Sequence, residues 1–127
     1  MLCFEKMPLW VKGITVIERD GLIFTWSQLE ATFHNTEGKL IFKYKALSAF
    51  EDYITDVIVK MESKVFITST LSGQISVWKY QKEKELLHQF TGHTNKVTSM
   101  KSFPGRADLF ISASNDNSIR VHSLDKL

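Results

Sequence analysis

Several short stretches of this 127-residue chain set β-branched and aromatic residues among small polar ones with a period close to two. That spacing predicts half-buried strands rather than helices. Residues 65–70 (VFITST) and 74–79 (QISVWK) are two such stretches, and Ser72-Gly73 lies between them, where a hairpin needs a positive φ. Residues 13–26 (GITVIERDGLIFTW) predict a second hairpin, because Asp20-Gly21 suits a type I′ turn. Residues 53–59 (YITDVIV) and 96–103 (KVTSMKSF) predict strands ahead of hairpins, and residues 39–47 (KLIFKYKAL) and 85–90 (ELLHQF) predict strands behind them. Residues 30–38 are polar and read as a loop.

The chain also resembles itself. Residues 65–78 (VFITSTLSGQISVW) overlay residues 109–122 (LFISASNDNSIRVH) without a gap at a constant shift of 44. Phe66/Phe110, Ile67/Ile111, Ile75/Ile119 and Val77/Val121 are identical pairs, and Thr68/Ser112 and Thr70/Ser114 keep a hydroxyl. A weaker copy, residues 13–26, matches at a shift of 52 through Gly21/Gly73, Ile23/Ile75 and Trp26/Trp78. Four antiparallel strands recurring every 40-odd residues is the arithmetic of a propeller blade, so the expected architecture is all-β.

Gly92-His93, then residues 97–100 (VTSM), then residues 109–124 look like a WD repeat, in which a Gly-His pair precedes the first strand and a Trp-Asp pair closes the third. The resemblance covers most of residues 39–124 well and 10–38 poorly. It implies a WD-repeat β-propeller with about three four-stranded antiparallel blades in an open or partial ring. The corresponding units are roughly residues 2–48, 49–91 and 92–127.

In such repeats a His, a Ser or Thr of the second strand, an Asp of the following turn and a Trp of the third strand form a linked hydrogen-bond set that satisfies polar groups inside the blade. The resemblance assigns His93, Ser112 or Ser114, and Asp116 to the third unit, with His122 where Trp is usual and Ser123 where Asp is usual. In the second unit it assigns Trp78 and Thr68 or Thr70, with Phe50 in place of the His and Ser72 in place of the Asp. The first unit keeps Asp20 and Trp26, and no unit has the whole set. Rings of this family usually have about seven blades, within a general range of roughly four to eight. Three units cannot close one, so the reading is of a fragment or short isoform of a larger propeller. Further blades would come from the same longer chain or from another subunit.

Composition changes this picture little. Apolar residues make up 43% and charged residues 24%, as in an ordinary folded domain. Sixteen Lys and Arg against fourteen Asp and Glu leave a net charge of +2, too scattered for a phosphate-tracking surface, so nucleic acid is not an expected partner. Glu5 and Lys6 interrupt any secretory signal, no apolar run is long enough to span a bilayer, and a single cysteine calls for no oxidising compartment. The expected location is cytoplasmic, with a cilium or another intracellular assembly also compatible.

Candidate chemistry is thin. His34, His88, His93 and His122 are spaced by 54, 5 and 29 residues, which fits no zinc pattern, so no metal and no cofactor are expected. Ser114, His93 and Asp116 could be assembled into a hydrolytic triad, but there is no Gly-x-Ser-x-Gly elbow and the repeat already occupies those residues. The chain is not expected to be an enzyme. Trp26 and Trp78 occupy the third-strand position and read as core rather than as base-stacking platforms. The resemblance places the binding surface on rim loops, here Tyr53, Leu71, Asn95, Lys96 and Asn115, with Tyr53 and Leu71 as anchors. The function it implies is a scaffold for other proteins or peptides. The alternatives are a substrate-receptor subunit of a ubiquitin ligase, or a ciliary or trafficking scaffold.

Overall fold

The computed structural model describes residues 10–45, 52–80 and 84–125. The chain divides into a unit spanning Met1–Phe50 and a unit spanning Glu51–Leu127. The described residues carry three antiparallel sheets, with tight turns and one short 3-10 segment between strands of a sheet. Among them no helix is long and apolar enough to cross a membrane.

The first unit is a four-stranded meander of β1 (Gly13–Ile17), β2 (Leu22–Trp26), β3 (Glu30–Asn35) and β4 (Leu40–Lys45). Residues 13–26 do form a hairpin, with Gly13 opposite Trp26 and Ile17 opposite Leu22. Its turn is not type I′. Glu18–Asp20 make a 3-10 turn, and Gly21 closes it at φ +63, a left-handed conformation that glycine adopts without steric cost.

The larger correction is β3. Residues 30–38, expected as a polar loop, contain a strand in which Ala31, Thr32, Phe33 and His34 are all buried. Its polar letters hid it, yet Thr32 and Glu30 find partners on the neighbouring strands. Thr32 Oγ1 lies 2.6 Å from Thr25 Oγ1 on β2, and Glu30 pairs with Lys43 on β4 at 3.6 Å. Between them Phe33 packs its ring against Phe24 at 4.7 Å and Tyr44 at 5.8 Å, which is where this sheet's core sits. Burial pushes the Tyr44 phenol up to about 12. Trp26 therefore belongs to the second strand of its sheet rather than the third, and the overlay at a shift of 52 matches letters, not strand positions.

The second unit follows the overlay at 44. Its first sheet runs β5 (Ile54–Lys60), β6 (Val65–Thr70), β7 (Ile75–Tyr80) and β8 (Lys84–Phe90). The second has three strands among the described residues, β9 (Val97–Ser102), β10 (Leu109–Ser114) and β11 (Ile119–Ser123). Phe66 stands opposite Trp78 in one hairpin and Phe110 opposite His122 in the other, so residues 44 apart occupy the same register.

The two sheets of this unit share one core, made by Val65, Ile67, Ile75, Val77, Val97, Met100 and Phe110. Each such side chain contributes on the order of 1.5–3 kcal/mol on burial. Two polar links and one close backbone approach reinforce it. The Met100 backbone N–H donates to Asp56 Oδ2 at 2.8 Å, the Lys60 ammonium donates to the Leu109 carbonyl at 2.7 Å, and Gly73 lies tight against the backbone of residues 93–95. At Gly73 φ is +97, and a Cβ would sit 2.6 Å from the His93 carbonyl oxygen. Only glycine fits there.

Candidate functional site

One end of the second unit gathers the turn between β6 and β7, the segment before β9 and the turn between β10 and β11. Local side-chain hydrogen bonds shape that last turn. The Asp116 N–H donates to Ser114 Oγ at 3.1 Å, the Ser118 N–H donates to Asp116 Oδ1 at 2.9 Å, and Asn117 takes φ +68, which Asn tolerates better than most residues. The Asp116 carboxylate is thereby aimed at the segment before β9, where it accepts the Thr94 N–H at 3.1 Å and His93 Nδ1–H at 2.9 Å. Its carboxyl is held well below the usual carboxylate range, foremost by the Ser118 hydroxyl and then by His93 and Thr94 against the opposing effect of burial.

The chain of bonds continues inward. His93 Nε2 lies 2.7 Å from Ser112 Oγ, and Ser112 Oγ lies 2.7 Å from His122 Nε2. Asp116 can only accept, so with His93 neutral the protons are ordered: His93 Nδ1–H donates to Asp116, the Ser112 hydroxyl donates to His93 Nε2, and His122 Nε2–H donates to Ser112. In the neighbouring sheet Trp78 Nε1–H donates to Thr68 Oγ1 at 3.2 Å, at positions 44 residues earlier. His122 thus supplies the N–H that an indole supplies next door. Its imidazolium is disfavoured, chiefly by burial and then by His93 and Arg120, which lowers its pKa to about 4.

The structure brings together some of the expected residues and separates others. His93, Ser112 and Asp116 are linked, while Ser114 sits at the rim, where its hydroxyl donates to the Asn95 carbonyl at 3.1 Å. Thr68 meets Trp78, while Thr70 accepts the Gln74 N–H at 3.1 Å within the β6–β7 turn. Asp20 and Trp26 lie at opposite ends of the β1–β2 hairpin, in the other unit. Trp26 is half-buried there, with the Lys12 ammonium 5.6 Å from its ring centroid. Phe50, expected at the His position of the second repeat, lies outside the described residues.

Asp52 was not anticipated. This buried carboxylate accepts the Ser72 N–H at 3.1 Å and the Ser72 hydroxyl at 2.7 Å, so it fixes the β6–β7 turn much as Asp116 fixes the β10–β11 turn. The available signal was an acidic residue just ahead of the first strand of a unit that lacks Asp in its turn.

The anticipated rim residues fall on this same end of the two sheets. The Leu71 N–H donates to the Tyr53 carbonyl at 3.0 Å, and both side chains are half-buried. The Asn115 N–H donates to the Lys96 carbonyl at 2.9 Å, and Asn95 Oδ1 accepts the Lys96 N–H at 2.7 Å, leaving the Asn95 and Asn115 side chains exposed. The Asp116–His93–Ser112 order would suit a nucleophile relay, but Ser112 is fully buried and already accepts from His122. No substrate reaches it in this arrangement.

Residues 84–123, which are β8 through β11, match the family model described as WD domain, G-beta repeat. That stretch is a WD repeat. No curated protein matches the chain in sequence. Among solved structures, it superposes on a chain in the crystal structure of a mitotic checkpoint complex with a TM-score of 0.74 at 18% identity, over 87% of its own length. It spans 35% of that chain. At this identity the likeness establishes the fold alone: the three antiparallel sheets have the form of propeller blades.

Proposed function

We propose that this chain is a non-catalytic interaction scaffold that holds partner proteins or peptides on the rim formed by Tyr53, Leu71, Asn95, Lys96 and Asn115. The observation that carries this reading is the seating of Gly73 against the His93 and Asn95 carbonyls, so close that a Cβ on Gly73 would meet them at 2.6 and 2.7 Å. That seating makes the loops of two WD-repeat blades one continuous surface. Asp52 and Asp116 are spent inside their turns, so what the rim offers outward is half-buried apolar surface from Tyr53 and Leu71 and the donors of Lys96, Asn95 and Asn115. Apolar anchors ringed by adaptable polar groups suit a protein or peptide partner. The matched chain belongs to a mitotic checkpoint complex and is about two and a half times as long, which supports a role as part of a larger propeller built with further blades.

Binding assays with rim variants test the reading. Leu71→Asp and Tyr53→Ala should lose proteins that the wild type retains, while Met61→Asp, at the opposite end of the same unit, should keep them, with all melting curves unchanged. Equal retention by all four proteins overturns it.

A further inference from the structure

Away from the rim, β8 and β11 border an open cleft of about 690 Å³ whose lining includes His88, Phe90, Thr91, Arg120, His122 and, as its one carboxylate, Asp125. His122, on its wall, is one departure from the repeat. In the neighbouring blade Trp78 stacks its indole over Phe66, with the ring planes 9° apart. At the same register His122 stacks over Phe110, with centroids 4.6 Å apart, and the smaller imidazole leaves open the volume an indole would take.

The cleft has three chemical features. Phe90 supplies an aromatic wall, its ring 4.8 Å from that of His122. His122 is only 8% exposed; it spends Nε2–H on Ser112, so Nδ1 carries a lone pair with no hydrogen-bond partner among the described residues. Arg120, two residues away on β11 and therefore on the same face of the strand, commits one N–H to the Gly92 carbonyl at 3.0 Å and makes no ion pair among the described residues. A volume of this size with aromatic walls and a few fixed polar groups is what small side-chain pockets require.

We propose that this cleft binds a tryptophan side chain of a partner peptide next to a carboxylate. The indole ring lies beside Phe90, its N–H donates to His122 Nδ1, and the carboxylate pairs with the unused N–H groups of Arg120. The site is separate from the rim and stands or falls independently of it.

N-acetyl-L-tryptophan contains both groups in one molecule, and NMR titration of the full chain with it is the test. Saturable binding is expected with a Kd on the order of 0.1–1 mM, the range for a ligand of this size. N-acetyl-L-tryptophanamide, which lacks the charge, and N-acetyl-L-phenylalanine, which lacks the N–H, should each bind at least about tenfold more weakly. His122→Trp should fold, since it restores the residue that the neighbouring blade carries, and should weaken binding at least about tenfold, because it removes the Nδ1 acceptor. Arg120→Gln, at an exposed position, gives the same answer without touching the core: at least about tenfold weaker binding. Absence of saturable binding to the wild type, or unchanged binding by Arg120→Gln or by folded His122→Trp, overturns the proposal.

Discussion

The ammonium of Lys60, only 4% exposed, donates to the backbone carbonyl of Leu109 at 2.7 Å and reaches the Arg106 carbonyl at 3.5 Å. It ties the last residue of β5 to the first of β10, across two blades. Lys60→Met keeps most of the side-chain volume and removes the donor. Leaving these carbonyls without it should destabilise the protein by about 1–3 kcal/mol, read as a lower urea midpoint at unchanged slope. An unchanged midpoint would show that the link contributes nothing.

Gly73 and Gly21 both have positive φ, but only Gly73 is crowded. Gly73→Ala must strain the backbone and push against the His93 and Asn95 carbonyls, so a loss of at least about 2 kcal/mol is expected. Gly21→Ala meets open space and should cost about 1 kcal/mol. Thermal melts of the two variants make the comparison, and equal losses would contradict the close approach of the two blades.

Acid should weaken the third blade through His122. Its pKa is about 4 in the folded chain against 6.5 for an unperturbed histidine, so between these values the unfolded chain binds a proton that the folded chain refuses. The stabilisation is fully present above about pH 6.5 and is lost as pH falls toward 4, by on the order of 1–2 kcal/mol after allowing for solvent screening. Asp116, also depressed when folded, extends the loss at lower pH. Urea titrations at pH 7 and pH 4.5 measure it, and in His122→Trp the part of the slope due to this histidine should vanish.

In the second blade, Trp78→Phe keeps a ring over Phe66 and deletes the N–H that Thr68 accepts. A cost of about 1–2 kcal/mol is expected, and Thr68→Val in the same chain should recover part of it, because neither polar partner then remains. Strict additivity of the two substitutions would count against this bond.

The hairpins of the second unit were readable in the sequence because their strands are β-branched, their turns carry Ser-Gly and Asn-Asp-Asn, and the overlay at 44 residues places one on the other. β3 was not, because Glu30, His34 and Asn35 look like loop residues until the partners of β2 and β4 are known. At the site, the residue types belonged to the repeat pattern, but choosing Ser112 over Ser114 needs position along β10 relative to His93. Asp52, Asp56 and Lys60 act across turns and between blades, at separations where neither periodicity nor a local motif carries a signal.

Hydrogen–deuterium exchange of the chain with and without a partner it retains tests the central claim most directly. Binding through the rim predicts slowed exchange at residues 71–73, 93–96 and 115–117, with residues 61–64 and 103–108 at the other end of the unit unchanged. Slowed exchange confined to residues 61–64 and 103–108 would contradict it.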